Sequence, residues 1–458
     1  MNKYEAITSK LKEAVRTGAI KPGDKLPSLR ETAEAYGCSI NTAIRAYGEL
    51  EKERLIYAVP KSGYFAVSRP VPKENGPTVI ADFASAVPDP EVMPTDAFRQ
   101  CLNRAIELYQ DLLFAYSDPQ GFPSLRRSLV RHLAAAQVFA DINHISVVSG
   151  AQQALHILAG MPFPNGGEAV LIEQPAFAGM VRTLQLLRVP AVGICRTEAG
   201  FDIQELEARF QSGRIKFFYT VPRFHNPTGF SLPRRQKEEI VRLAERYGVY
   251  IVEDDYLADL ECDRKNDPLY SLDGSGHVVY VKSFSKVMLP GLRLAAAVVP
   301  DKLLETFRRF KSSADSSTAA LSQAALELYL ESGLFDRHAA SMRERYTGRM
   351  EALRIAARDL SDGFCRMDVP AGGLFATLYL PEHVDPVTLA GLLRDRGVTV
   401  MPTDGCYLPG SAYPKGLRIG IIRTNEAQIA AGLRIVREEI ERLQQKRLRL
   451  LRSSIHWI

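Results

Sequence analysis

Lys286 lies in the stretch "SFSKVMLPGLRLA" (residues 283–295), directly after an apolar run. A lysine can form a Schiff base when it is desolvated and lies near cationic or phosphate-binding groups. Ser283 precedes Lys286 by three residues, and Arg293 follows it by seven. The stretch alone is therefore compatible with a covalent attachment point or with a solvated lysine in a loop.

Two other clusters could bind further parts of a ligand. "SGAQQAL" (149–155) opens a predicted helix, and the backbone N–H groups at the start of that helix, with Ser149 and Gln152 nearby, suit a phosphate group. "EQPAFAG" (173–179) places Phe177 where its ring could stack on a planar ligand, with core packing as the alternative for this residue.

Two more clusters supply an amide and carboxylates. Asn226, in "HNPTG", offers a donor and an acceptor, and Asp254 and Asp255 follow the apolar run of "VEDDY". Because side chains alternate along a strand, one of the two carboxylates is expected to face the site. A pyridoxal phosphate site needs a lysine, an acid at the pyridine nitrogen, a phosphate cup and an arginine for a substrate carboxylate. The chain supplies each part.

The elements that must position these residues begin near residue 83, where β-rich runs alternate with helical segments. Near-continuous apolar strands separated by helices predict a mostly parallel sheet covered on both faces. Ligands of such sheets bind at the carboxyl ends of the strands, where the polar clusters lie. The seven strands are predicted at 144–149, 168–173, 190–195, 215–220, 250–254, 278–284 and 294–299.

The first 73 residues hold 13 Lys and Arg against 8 Asp and Glu, so the whole net charge of +5 lies there. Three helices are predicted, and Ser28 and Ser39 are the N-caps of the second and third. The hairpin "IYAVPKSGYFAV" follows them, and three helices followed by a hairpin predict a winged helix. The third helix would enter the DNA major groove. A small three-helix interaction domain is the alternative. The residues predicted to contact DNA are Ser28, Arg30, Ser39, Asn41, Thr42, Arg45 and Lys61.

Composition excludes several other classes of protein. The chain has 458 residues, no run of about 18 apolar residues and no apolar signal-peptide core, so neither a membrane span nor a membrane partner is expected. Its six cysteines lie far apart, without a CxxC pair. The sequence thus predicts a reduced, cytoplasmic protein without a disulfide framework or a metal site.

The pattern "LPSLRETAEAYGCSINTAIRAYGELEKERLI" followed by "KSGYFAV" resembles the GntR-type winged helix of bacterial transcription regulators. That family often has arginine where this chain has "SINT", so the operator sequence is left open. The predicted domains are a DNA-binding domain over residues 1–68, a linker over 69–82 and an effector domain over 83–458.

Residues 83–458 resemble the fold type I aminotransferases, which implies a large part over about 117–320 and a smaller α+β part from the flanking segments. The resemblance implies that Lys286 bonds covalently to pyridoxal phosphate, with Asp254 (or Asp255) at its pyridine nitrogen. Lys286, Asp254 and Tyr256 would carry any catalysis. The resemblance also implies that Tyr256 and Asn226 hydrogen-bond the phenolic oxygen and that Phe177 stacks on the ring. The phosphate would be bound by Ala151, Gln152, Ser283 and Arg293. Arg418 would bind an effector carboxylate, and Tyr116 would reach the phosphate in the neighbouring subunit of a homodimer.

The fusion is similar to the MocR subfamily of regulators. This resemblance implies a DNA-binding transcription regulator that senses pyridoxal phosphate or an amino compound. An active aminotransferase that carries a DNA-binding module is the alternative, since "HNPTG" and "GGLFATLYL" look enzyme-like. A DNA-binding module on a catalytically inert body is a third hypothesis.

Overall fold

The computed structural model describes residues 3–17, 19–21, 23–53, 55–59, 62–67, 79–261, 263, 265–360 and 365–455. The chain divides into two compact units, Met1–Gly76 and Pro77–Ile458. A linker is predicted over residues 69–82, of which 69–78 lie outside the described residues. Its last two residues, Ala81–Asp82, form a strand of the second unit.

The first unit is a three-helix winged fold, as predicted. Its elements are α1 (Lys3–Arg16), α2 (Leu29–Ala35), α3 (Ile40–Lys52) and the antiparallel hairpin β1 (Ile56–Val59) and β2 (Gly63–Ala66). The side chain of Ser28 accepts a hydrogen bond from the backbone of Glu31, whose carboxylate accepts one from the backbone of Ser28, so α2 begins with a capping box. Ser39 caps α3 through the backbone N–H of Thr42.

A small apolar core holds these helices together. Tyr47 on α3 is fully buried, and its hydroxyl donates to the carbonyl of Pro27 at 2.8 Å. This bond ties α3 to the turn before α2, because a buried hydroxyl needs a partner. The core residues are Ile7, Leu11, Leu26, Ala46, Tyr47, Leu50, Ile56 and Ala66.

The second unit is built on a seven-stranded sheet in the order β4-β10-β9-β8-β7-β5-β6. All neighbouring pairs are parallel except those of β10, which runs antiparallel to both β4 and β9. The mostly parallel seven-stranded sheet expected from the apolar runs is confirmed. Its strands are β4 (Ile145–Val148), β5 (Ala169–Gln174), β6 (Ala191–Cys195), β7 (Ile215–Thr220), β8 (Tyr250–Asp254), β9 (Val278–Ser283) and β10 (Ala295–Val298).

The remaining strands form the smaller α+β part. Four of them make a sheet in the order β11-β12-β15-β14, and β13 pairs in parallel with β3 near the start of the unit. The first segment of the unit thus packs with its last third. These strands are β3 (Ala81–Asp82), β11 (Arg366–Asp368), β12 (Phe375–Tyr379), β13 (Val398–Thr399), β14 (Met401–Pro402) and β15 (Gly416–Gly420).

The second unit also has twelve described α-helices. They are α4 (Thr95–Tyr109), α5 (Pro123–Ala135), α6 (Ala151–Gly160), α7 (Ala178–Leu187), α8 (Ile203–Gln211), α9 (Arg234–Tyr247), α10 (Leu269–Leu272), α11 (Asp301–Asp315), α12 (Ala320–Glu331), α13 (Leu334–Ala357), α14 (Pro386–Asp395) and α15 (Glu426–Ile455). In the described part of the chain, no helix combines the length and apolar composition that crossing a bilayer requires.

Candidate functional site

A cavity of about 290 Å³ opens at the carboxyl ends of β7, β8 and β9. It gathers side chains from segments that are far apart in the sequence, because parallel strands end at the same edge of the sheet. Nine predicted site residues line it. The lining residues are Ala151, Gln152, Phe177, Val221, Asn226, Asp254, Tyr256, Ser283, Ser285, Lys286 and Arg293.

Lys286 lies in this cavity, three residues after the end of β9. Burial, together with the nearby cations Arg418 and Arg293, lowers the pKa of Lys286 to about 8. Its Nζ donates a hydrogen bond to the carbonyl of Ala86 at 2.8 Å. A lysine in this state has a larger neutral, nucleophilic fraction near neutral pH than a solvated lysine.

Asp254 ends β8 and lines the same cavity. Burial raises the pKa of Asp254 to about 7, although a hydrogen bond from the Tyr219 hydroxyl to Oδ2 at 2.9 Å works in the opposite direction. The other carboxylate oxygen, Oδ1, is buried without a hydrogen-bond partner in the described structure. A buried acceptor without a partner is costly, so Oδ1 suits a ligand that brings a donor, such as a protonated pyridine nitrogen.

Asp255, the alternative acid, faces the opposite side of the sheet. Its carboxylate pairs with the guanidinium of Arg223 and accepts a hydrogen bond from the Tyr280 hydroxyl at 2.8 Å. Side-chain alternation along the extended backbone separates the two neighbours. Asp254 is thus the carboxylate on the cavity wall, and Asp255 belongs to a buried ion pair.

One end of the cavity has the features of an anion site. Helix α6 begins at Ala151, and its N-cap residue, Gly150, has no side chain that could accept a hydrogen bond from the helix. The first backbone N–H groups of the helix are therefore available to a ligand. A Cβ at Gly150 would collide with the guanidinium of Arg293. Ser283 and Ser285 lie on the same wall. The Gln152 amide instead donates to Thr183 and Gly179, which joins α6 to α7.

Asn226, Tyr256 and Phe177 form other parts of the wall. The Tyr256 hydroxyl donates to the carbonyl of Phe224 at 2.7 Å, and the Asn226 side-chain oxygen accepts a bond from Arg418 at 3.4 Å. Phe177 is half-buried directly before α7. The Tyr256 and Asn226 side chains are thus held by hydrogen bonds within the chain, and Phe177 packs against the apolar core.

Arg418 extends from β15 toward the cavity from the smaller part of the unit. Its guanidinium lies 4.3 Å from the centre of the Phe375 ring and donates to the carbonyl of Ala84 at 2.6 Å. Its Nε is buried without a hydrogen-bond partner among the described residues. A partly unpaired guanidinium beside Asn226 could bind a carboxylate.

Tyr116 lies outside the cavity, and 93% of its surface is exposed. The structure therefore does not bring Tyr116 to the site of its own chain. The contact of Tyr116 with the phosphate of a neighbouring subunit therefore stays a prediction.

The residues predicted to contact DNA lie at the start of α2 and along α3. Ser28, Arg30, Ser39 and Asn41 are exposed. Thr42 is half-buried with its hydroxyl 2.9 Å from that of Ser39. The Arg45 guanidinium stacks over the Tyr4 ring at 4.0 Å, and Lys61 lies outside the described residues.

Sequence reasoning missed a buried network behind the Asn226 turn. Glu173 on β5 forms an ion pair with Arg196 and accepts a hydrogen bond from Thr220 on β7 at 2.7 Å. His225 is fully buried, with Nε2 3.0 Å from Glu173 and Nδ1 2.8 Å from Thr228. The cationic partner Arg196 and the adjacent His225 hold the pKa of Glu173 at about 2 against its burial. The network fixes the turn that carries Asn226.

Tyr219 was also missed, although one signal could have found it. Its position on β7 is two residues before Val221, so both side chains face the same side of the sheet. The adjacent strand places Asp254 on that side as well.

Comparisons with known proteins agree with this geometry. The family "Aminotransferase class I and II" matches residues 86–435, and the family "Bacterial regulatory proteins, gntR family" matches residues 3–66. The HTH-type transcriptional regulator YcxD of Bacillus subtilis (strain 168) is 46% identical to this chain, over 95% of this chain and 99% of YcxD. YdcR of Escherichia coli (strain K12), also named as an HTH-type transcriptional regulator, is 27% identical over 88% and 91% of the two chains.

Solved structures extend the likeness to enzymes. Kynurenine aminotransferase from Pyrococcus horikoshii aligns with a TM-score of 0.73 and 25% identity, over 80% of this chain and 91% of its own. LysN, the alpha-aminoadipate aminotransferase of Thermus thermophilus, aligns with a TM-score of 0.73 and 25% identity, over 80% and 93% of the two chains.

Proposed function

The chain belongs to the aminotransferase class I and II family and is a GntR-type transcription regulator, and on this premise we propose that it binds pyridoxal phosphate through Lys286. Its fusion of a gntR-family unit to an aminotransferase-like unit is consistent with the MocR subfamily. The aminotransferase family depends on pyridoxal phosphate, and the gntR-family unit implies DNA binding. In the proposed function, an amino compound at the cofactor changes the affinity of the protein for its operator.

One observation carries the proposal. Lys286, whose amine has a lowered pKa, shares a buried cavity with Asp254, whose Oδ1 has no hydrogen-bond partner in the described structure. A nucleophilic amine and an acceptor without a donor are the groups that the aldehyde and the ring nitrogen of pyridoxal phosphate require.

The other lining residues have roles that fit the same cofactor. The N-terminus of α6, with Arg293 and Ser283, would hold the phosphate group, and Phe177 would cover one face of the ring. Asn226 and Tyr256 would hydrogen-bond the phenolic oxygen. When bound, the cofactor supplies a carbonyl that exchanges between amines and a ring that accepts electrons.

The effector in this proposal is an amine that also carries a carboxylate. Arg418 would hold its carboxylate through a two-point hydrogen-bonded pair, and its amine would compete with the Lys286 amine for the carbonyl that the cofactor supplies. DNA affinity changes only if the effector binds two states of the protein unequally. A homodimer is part of this proposal, and the exposed side chains of Leu112, Phe114 and Tyr116 support it.

The test uses full-length protein with a Lys286→Ala substitution. We expect the variant to lose the visible absorbance of lysine-bound cofactor, and its DNA affinity to stop responding to a panel of amino acids. Lys302→Ala, at an exposed position on α11, is the matched control and should behave as wild type. An unchanged spectrum and an unchanged response in Lys286→Ala would overturn the proposal.

An active aminotransferase is the second candidate function, because the cavity holds Lys286, Asp254, Asn226 and Tyr256 together with Arg418 at its edge. Steady-state transamination with amino and keto acid pairs separates the two functions. Turnover of about one per second or faster, the usual range of enzymes, would favour catalysis. A single half-reaction without turnover would favour sensing.

A further inference from the structure

Helix α3 exposes two isoleucines on its first two turns. Ile40 is 47% exposed and Ile44 is 45% exposed, and the four-residue spacing places them on one face with Asn41 beside them. We call Ile40, Asn41 and Ile44 the reading face. Among the described residues of the first unit, the only other exposed large apolar side chain is that of Tyr57.

The packing of the unit does not require isoleucine at these positions. The buried side of α3 consists of Ala43, Ala46, Tyr47 and Leu50, which face the core. Ile40 and Ile44 point away from that core into solvent. A reason for branched apolar side chains on this face therefore has to come from a partner.

The polar side chains near the reading face differ in how far they are engaged. Arg45 is stacked on Tyr4 of α1, and the hydroxyls of Ser39 and Thr42 contact each other at the N-cap. The Asn41 amide is exposed and makes no hydrogen bond within the described part of the chain. On the first two turns of α3, the exposed side chains without a described hydrogen bond are thus those of Ile40, Asn41, Ile44 and Arg45, of which Arg45 is stacked on a ring.

In the DNA major groove, this combination matches A·T base pairs. The thymine methyl is the apolar group on the base edges, and asparagine can bond both N6 and N7 of adenine. Arginine is the usual reader of guanine, and the arginine beside the reading face, Arg45, is stacked on the Tyr4 ring. The two isoleucines are about 6 Å apart along the helix axis, close to two base-pair steps of about 3.4 Å.

We propose that Asn41 bonds an adenine while Ile40 and Ile44 pack against thymine methyls of the operator half-site. This inference rests on the DNA binding proposed above. It makes the reading face a determinant of specificity for A·T pairs, whereas phosphate contacts would supply affinity without sequence preference.

The test removes only the methyl groups. A duplex is first selected from a random library by the full-length protein loaded with pyridoxal phosphate, and is then synthesised with thymine or with uracil at the same positions. Uracil pairs with adenine as thymine does but lacks the methyl. We expect the affinity to fall by roughly fourfold for each contacted methyl, and by tenfold or more over two half-sites.

Matched variants assign this effect to the reading face. The double substitution Ile40→Ala and Ile44→Ala should weaken binding to the thymine duplex and remove the difference between the two duplexes. Ile355→Ala, at a 55% exposed position on α13, should keep the full difference. Repeating the selection with Ile40→Arg should enrich guanine, since arginine bonds its O6 and N7 atoms.

The possible results separate this inference from the proposed function. Equal affinity of the wild type for both duplexes, or a difference that persists in the double variant, would overturn the thymine contacts and leave DNA binding intact. Failure to bind any duplex, even at low salt where phosphate contacts are strongest, would overturn both.

Discussion

The two candidate sites of this chain differ in how their side chains are held. On α3 the reading face is exposed, and Asn41 has no hydrogen bond within the described structure. In the cavity of the second unit, by contrast, Asp254 and Tyr256 are buried, Lys286 is half-buried, and each is held by a hydrogen bond. The exposed site can change its specificity by substitution at little cost in stability, whereas a change near the cavity affects both binding and folding.

The largest expected effect comes from Asp255, the buried neighbour that does not face the cavity. Asp255→Asn leaves the Arg223 guanidinium buried without its counter-charge, and breaking such a pair costs about 3–5 kcal/mol of unfolding free energy. Urea unfolding of the full-length protein measures this loss. Glu238→Gln, in an exposed pair with Arg234, is the control and should cost less than about 1 kcal/mol. Equal losses of unfolding free energy in the two variants would show that the buried ion pair contributes no more than the exposed one.

Asp254→Asn should instead act on cofactor affinity. A hydrogen bond to a charged group contributes about 1.5–3 kcal/mol, so we expect pyridoxal phosphate affinity to fall by roughly ten- to a hundredfold in an absorbance titration. Asp395→Asn, at an exposed position on α14, should not change the affinity. Unchanged affinity in Asp254→Asn would show that Oδ1 is not the partner of the ring nitrogen.

The same variant gives a pH test on cofactor-free protein. Because burial raises the pKa of Asp254 from 3.8 to about 7, the folded protein gains stability from the protonated carboxyl below about pH 4 and loses it as the pH rises through 7. Wild type should therefore lose up to about 4 kcal/mol relative to Asp254→Asn between pH 4 and 7. Urea unfolding at several pH values measures this difference, and parallel pH curves would contradict it.

Tyr219→Phe should have a smaller effect. It removes the hydrogen bond to Oδ2 of Asp254, which favours the ionised carboxylate. We expect about a tenfold loss of cofactor affinity, since one hydrogen bond contributes about 1 kcal/mol or slightly more. Tyr250→Phe, buried on β8 but not in the cavity lining, should leave the titration unchanged. A similar loss in both variants would point to general disturbance of the sheet.

The smallest effect is expected in the first unit. Ser28→Ala removes the side-chain N-cap of α2 and should lower the stability of this helix by about 1 kcal/mol. The loss would be measured as faster amide hydrogen exchange in α2. Ser9→Ala, at an exposed position within α1, should have no such effect. Unchanged exchange in Ser28→Ala would mean that the capping box contributes little to this unit.

The same contrast explains what could be predicted from sequence. Buried parallel strands are continuous apolar runs, so the predicted bounds of β7 and β8 agree with the structure. The bounds differ by one residue at one end for β6 and β9, and by one residue at both ends for β4, β5 and β10. The N-caps at Ser28 and Ser39 were predictable because capping depends on neighbours in the chain.

The partners of buried side chains on different strands and loops could not be predicted in the same way. Lys282 and Lys286 are four residues apart, yet Lys282 is fully buried in an ion pair with Asp259 while Lys286 faces the cavity. The partnership of Glu173 with Arg196 and His225 depends on which residues meet across three strand ends. Such contacts follow from register and loop conformation, which one sequence does not display.

The carbonyls of Ala84 and Ala86 accept hydrogen bonds from Arg418 and Lys286, the two cations proposed to meet an amino acid effector. The Ala86 carbonyl thus competes with the proposed cofactor for the Lys286 amine, and the Ala84 carbonyl competes with an effector carboxylate for the Arg418 guanidinium. Each competitor leaves one carbonyl to find another donor, at a cost of about 1–3 kcal/mol for a carbonyl that stays buried. The segment around Ala84 and Ala86 therefore lowers the affinity of the proposed site for both molecules.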